Sequence, residues 1–326
     1  MRVLSAAILA AALAAAIAHA GDKKKDQKDD PNQIGNRNVS QGINFYSLEK
    51  EMALGKQLAE EVQRQARIVD DPLISEYVNR VGQNLVRNSD AKVPFTFKVI
   101  EGEALNAFAL PGGYVFVYTG LLKLADEEDE FAGAVAHEIA HVAARHMTRQ
   151  ATKSELANIL AAPLGMILGG WTGYAARQAA GVAIPMTFLS FSRKDESEAD
   201  YLGVQYMYAA GYDPQGIVSV FEKMESLEHK QPGAIARVFS THPMDADRIA
   251  RTQQEIERIL PSKPQYVVTT SDYRDVRERL LSLENRRKSD DKDGRPRLRV
   301  NPDAGKPADE TDTGDRPTIK RRDLME

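Results

Sequence analysis

The sequence predicts an α+β fold, mostly helical, with a small β-sheet beside one helix that carries His137-Glu138-Ile139-Ala140-His141. Three observations lead there. Several long stretches are amphipathic at helical spacing. Two short runs, Phe95 to Ile100 and Tyr114 to Tyr118, have the β-branched and aromatic content of strands. Pro111-Gly112-Gly113 supplies a turn between extended segments.

The elements follow in order. Residues 1–20 have the form of a cleaved signal peptide: Arg2, an apolar stretch from Leu4 to Ile17, then the small-x-small site Ala18-His19-Ala20. Residues 21–44 are polar and charged and are expected to form a flexible leader. The main domain is expected over 45–260, and about 240 residues between the polar ends suffice for one substantial core. In it, Ser47 to Arg67 and Pro72 to Arg87 are expected helices, the second opened by Asp71-Pro72. Pro214 to Lys230 and Pro243 to Leu260 are further helices. A helical extension occupies 261–287, with Ser271 to Arg287 amphipathic. Residues 288–326 are a charged tail with almost no apolar residue, expected to be disordered. The mixed charges of this tail argue against a dedicated nucleic-acid arm, so nucleic acid is not expected as a partner; the whole chain, with 43 basic and 47 acidic residues, has a net charge of −4. The chain has no cysteine, so export requires no oxidative folding and no lipid attachment follows the signal.

Residues four apart stack on a helix, so His137 and His141 can reach one metal ion from the same face while Glu138 lies beside them, near a water. The acidic run Asp126 to Glu130 suits the positive end of that helix. With Phe131 at zero and about 100° per residue, Val135, Ile139 and Val142 fall within roughly 80° of it. The two histidines fall near 240° and 280° on the same wheel, on another face. His146 falls at about 60°, in the apolar stripe and facing away from His137, so it is expected as a core or hydrogen-bonding histidine.

A hydrolytic zinc normally keeps three protein ligands and an open position. The segment Ser192 to Asp200 offers Glu196 and Asp200 on one helix face, one to bind metal and the other to orient a ligand histidine. Residues alone leave open which does which. Leu156 to Ala176 carries no charge but is interrupted by Pro163, Gly165, Gly169, Gly170 and Gly173. It is expected to form short apolar helices near the site, as a lid or a surface touching a membrane, rather than a span.

Three blocks in order, His137-Glu138-x-x-His141-x-x-x-Arg145-His146, Ser192-Arg193-x-x-Glu196-x-x-Ala199-Asp200 and Thr241-His242-Pro243-x-x-x-x-Arg248-Ile249, resemble the BepA/HtpX-like zinc metallopeptidases. This gluzincin family also contains the CAAX prenyl proteases. Asn106 to Val117 resembles the strand region upstream of the metal helix in its periplasmic branch. The resemblance covers roughly residues 45 to 260. It implies a zincin-like metalloprotease domain with one Zn2+ per chain held by His137, His141 and Glu196. It also implies Glu138 as general base and His242 near the metal, either stabilising an oxyanion or occupying the open zinc position. Asp200 would be the residue that orients a ligand. No helical repeat period is visible, so the tetratricopeptide module of BepA-type members is not expected.

The expected function is zinc-dependent endopeptidase action on misfolded or stalled envelope proteins in a bacterial periplasm. Substrate is expected to add as a strand, with Tyr114 to Tyr118 as the candidate edge and a buried strand as the other reading of that segment. A non-catalytic chaperone or assembly factor for outer-membrane proteins, with structural zinc, is the alternative. Glu138 argues against it, since a structural site needs no base. A peptidoglycan hydrolase is a third, weaker reading.

Overall fold

A computed structural model describes residues 30–161, 191–230, 242 and 246–292. The expected signal peptide, most of the uncharged 156–176 segment and residues 293–326 of the tail lie outside the described residues. The described residues up to Ser282 form one compact unit, and the described residues from Leu283 belong to a second.

The fold is mostly helical, with one three-stranded mixed sheet. Helix α1 (Leu48–Gln65) is capped by the Ser47 side chain, which accepts from the Lys50 N–H. Helix α2 (Pro72–Arg87) starts with proline after Asp71, whose carboxylate accepts from the Ile74 N–H. Three strands follow: β1 (Thr96–Ile100), β2 (Ala107–Leu110) and β3 (Tyr114–Tyr118). After the short α3 (Thr119–Leu124) comes α4 (Glu128–Ala143), which carries the paired histidines. Then come α5 (His146–Ala161), α6 (Arg193–Ala210), α7 (Gln215–Lys230), α8 (Ala246–Ile259) and α9 (Ser271–Lys292). Among the described residues no helix is long and apolar enough to cross a membrane.

Helix α4 is the centre of the packing. Its apolar stripe of Phe131, Val135, Ile139 and Val142 is buried as the sequence predicts, but so is the opposite face. Two glycines explain how neighbours come so close. A Cβ on Gly133 would stand 2.8 Å from the Ile217 Cα of α7, and one on Gly203 of α6 would stand 3.4 Å from the His137 backbone N. Phe131 also joins Tyr77 of α2 and Tyr273 of α9, with ring centroids 5.7–6.5 Å apart.

The sheet order is β1-β3-β2, with β1 parallel and β2 antiparallel to β3. Tyr114–Tyr118 is therefore the central strand, and its expected role as an edge is corrected: both of its sides are already paired. The edges of the sheet are β1 and β2, and β2 is the one beside α4. Tyr118 donates its N–H to the Asn106 carbonyl at 3.0 Å. By the alternation of an antiparallel ladder, Phe108 and Leu110 share that inward set, and Ala107 and Ala109 turn their backbone groups to the outer side.

Two further expectations are corrected. Part of the leader is packed: Arg37 is 4% exposed, its Nε donates to Asp90 at 2.9 Å, and its Nη1 donates to Gln205 of α6 at 2.7 Å. The partners lie far along the chain, so a local reading of charge could not find them. In addition, the α4 wheel does not extend to His146. Arg145 takes a left-handed φ of 57°, which ends α4 and starts α5 in a new direction.

Candidate metal centre

Helix α4 presents the first two donors. His137 Nε2 and His141 Nε2 lie 2.9 Å apart, both rings almost fully buried. Helix α6 supplies the third. The Glu196 carboxylate places one oxygen 3.4 Å from His137 Nε2 and the other 3.4 Å from His141 Nε2. The three converge because Gly203 lets α6 rest on the backbone of α4. His242 completes the group, with Nδ1 3.0 Å from Glu196 Oε1 and 3.2 Å from His137 Nε2. One ligand atom from each of the four lies within 4.8 Å of the others.

The donor chemistry suits a divalent cation of intermediate softness. Two imidazoles and a carboxylate converge, and the far side of His137 is occupied: its Nδ1 is 2.9 Å from Asp200 Oδ1. A carboxylate accepts, so the proton sits on Nδ1 and the Nε2 lone pair faces the cluster. Glu138 stands outside the four-residue group. Its Oε1 is 3.2 Å from His242 Nε2.

Two residues stand close to the donors that sequence reasoning assigned no role. Arg248 donates to Asp200 through Nε at 2.6 Å and Nη2 at 2.8 Å, and its Nη1 is 3.0 Å from Glu196 Oε2. Its guanidinium lies over the Phe221 ring, 4.4 Å from the centroid. Arg248 was visible as the arginine that closes the third sequence block, without a hint of what it touches. Phe191 stacks on His141 with centroids 4.0 Å apart, and no local pattern marks it.

Electrostatics follow from this crowding. Burial works against charge on His242, but Glu196 and Glu138 outweigh it and raise its pKa to about 10. Burial alone would raise Glu196, yet His242, His137 and His141 hold it well below the usual carboxylate range. Burial pushes His141 well below an ordinary imidazole. His137 moves the other way, because Asp200 and Glu196 overcome its burial. Against the Glu138 side lies a pocket whose walls include Ala107, Leu121, Ala134, Val220, Phe221 and Met224.

Two histidines one helical turn apart, a glutamate from the adjoining helix and a second acid beside them are the arrangement of a metallopeptidase centre. Residues 72–256 match the description of Peptidase family M48, more than half of the chain, and the chain belongs to that family. Its relatives include the beta-barrel assembly-enhancing protease of Escherichia coli K12, 28% identical over 267 residues, covering 79% of this chain and 53% of that protein. The putative beta-barrel assembly-enhancing protease of Vibrio cholerae is 29% identical over 78% of this chain and 53% of its own length. The mitochondrial metalloendopeptidase OMA1 of Schizosaccharomyces pombe is 34% identical over 55% of this chain and 52% of its own. The chain thus spans about half the length of these curated relatives.

Proposed function

We propose that the protein is a zinc-dependent endopeptidase that cleaves misfolded or stalled cell-envelope polypeptides in the periplasm, after loss of residues 1–20 as a signal peptide. The observation that carries the reading is the position of Glu138, a buried carboxylate beside a two-histidine, one-glutamate donor set with no structural need of it. The envelope substrate is supported by relatives named for β-barrel assembly.

His137, His141 and Glu196 would hold one zinc ion per chain, and zinc supplies Lewis acidity that acidifies a water and polarises a carbonyl. Asp200 holds the proton of His137 on Nδ1, and Arg248 fixes Asp200 by two hydrogen bonds. Glu138 takes the proton of the attacking water and returns it to the leaving amine. Substrate lies as an added strand along the outer side of β2, read by the backbone groups of Ala107 and Ala109. This tolerates many sequences, and the apolar pocket receives one side chain next to the scissile bond.

His242 supports a resting state. Its ring lies between Glu138 and Glu196, in contact with both carboxylates, and so covers the base and the donors together. Peripheral membrane contact through 156–176 remains part of the proposal.

The test is zinc content and casein cleavage of the mature protein beside Glu138→Gln and Glu196→Ala. About one zinc per chain in wild type and Glu138→Gln, less in Glu196→Ala, and cleavage in wild type alone are expected. If Glu138→Gln keeps zinc and still performs the cellular task, the chaperone reading replaces this one.

A further inference from the structure

We infer that His146 is a positioning residue, which sets the tautomer and tilt of the ligand His141 and is itself fixed by Glu198. This rests on the reading that His137, His141 and Glu196 hold zinc.

His146 is fully buried, and its Nδ1 lies 2.9 Å from His141 Nδ1, the nitrogen turned away from the donor cluster. Two Nδ1 atoms at that distance need one proton between them. Its place is decided on the other side of the His146 ring. There, Nε2 lies 3.2 Å from Glu198 Oε2, an oxygen that also accepts from Arg149 Nη1 at 3.2 Å. A carboxylate oxygen beside a guanidinium accepts, so His146 carries its proton on Nε2 and its Nδ1 is a lone pair. His141 must then donate from Nδ1, which leaves its Nε2 lone pair facing His137 and Glu196.

The two ligand histidines are thus held by different means to the same end. His137 gives its Nδ1 proton directly to Asp200, while His141 reaches Glu198 through an intervening imidazole. Helix α6 carries all three carboxylates within five residues: Glu196 in the donor cluster, Glu198 behind His141 and Asp200 behind His137. The left-handed turn at Arg145 is what brings His146 back onto His141.

His146, Asp195 and Glu198 also have the donor types and spacing to hold a second cation. Arg149 lies 3.2 Å from Glu198 Oε2 and 3.7 Å from Asp195 Oδ1, so positive charge is already supplied there. The triad serves His141 rather than an ion of its own.

The experiment measures zinc affinity by competition with the chelator 4-(2-pyridylazo)resorcinol, with melting of the EDTA-treated proteins as the folding control. His146→Leu should melt close to wild type and bind zinc about 10–100-fold more weakly, the usual loss when the partner behind a ligand is removed. His146→Asn keeps an acceptor where Nδ1 stood and should stay within about threefold of wild type, well inside that loss. Glu198→Leu should weaken zinc binding although Glu198 is not in the donor cluster, and it decides the matter if His146→Leu fails to fold. Unchanged affinity in His146→Leu or in Glu198→Leu overturns the inference, as does His146→Asn binding as poorly as His146→Leu. Wild type that binds no zinc would remove the metal reading and this inference with it.

Discussion

Arg145 donates its Nε to Glu51 Oε2 at 2.6 Å, and through this pair α1 holds the turn between α4 and α5. Arg145 also donates Nη2 to the Tyr46 carbonyl at 2.6 Å, and Glu51 accepts from Thr148. A non-glycine residue at φ 57° carries a backbone cost, which these contacts offset. Arg145→Ala should destabilise the protein by about 3 kcal/mol in urea unfolding, because it leaves a buried carboxylate without its cation. Arg145→Gly should lose about 1 kcal/mol less than Arg145→Ala, since glycine takes that φ freely. Equal losses would mean that the left-handed turn is not what the pair maintains.

Arg248 contacts two carboxylates of the site at once. Arg248→Gln removes the paired hydrogen bonds that fix Asp200 and, through it, His137. Zinc retained after dialysis should fall, with affinity about 10–100-fold weaker. Full zinc retention would show that Asp200 orients His137 without help.

Removing His242 separates its two possible roles. If its ring closes the site at rest, His242→Ala raises basal casein cleavage several-fold. A fall in cleavage with zinc content unchanged would instead assign it to oxyanion stabilisation, where loss of one donor costs roughly 100–1,000-fold.

Asp129, buried at the start of α4, has its pKa raised by burial to about 7, from the usual 3.8. The folded state therefore holds a proton that the unfolded chain has released between those values. That stability is complete below about pH 4 and is lost as pH rises through about 7. With chelator present throughout, the melting temperature of wild type should fall more steeply between pH 5.5 and 8 than that of Asp129→Asn. Parallel curves would place the ionised carboxylate in a better solvated setting.

The pocket beside Glu138 makes a claim about substrates. Ala134→Leu narrows it and should lower kcat/KM for peptides with a large apolar side chain at that position about tenfold relative to small ones. A uniform drop across the series would mean that the pocket does not read the substrate.

Much of the fold was legible because periodicity and caps are local: Ser47 before α1 and Asp71-Pro72 before α2 marked helix starts that the structure contains. The grouping of His137, His141 and Glu196 was legible through spacing and family resemblance, since one turn of helix puts two residues on one face. What escaped was set by distant partners. Arg37 finds Asp90 and Gln205, and Phe191 lies on His141, with nothing nearby in sequence to mark either. His146 was placed by extending α4 through Arg145. Contacts to Glu51 and to the Tyr46 carbonyl, both distant in sequence, hold the turn there. Strand order was equally hidden: β3 is central because the parallel pairing with β1 joins segments that are not neighbours in sequence.

Every residue of α4 except Ala134 is buried. The helix that carries the paired histidines is thus also the element on which most of the core is assembled, and its two duties cannot drift independently. A lineage changing its preference for substrates would find almost no neutral positions along α4. Divergence should therefore gather at the half-buried pocket positions Ala134 and Met224, while the rest of α4 stays fixed by folding as firmly as by chemistry.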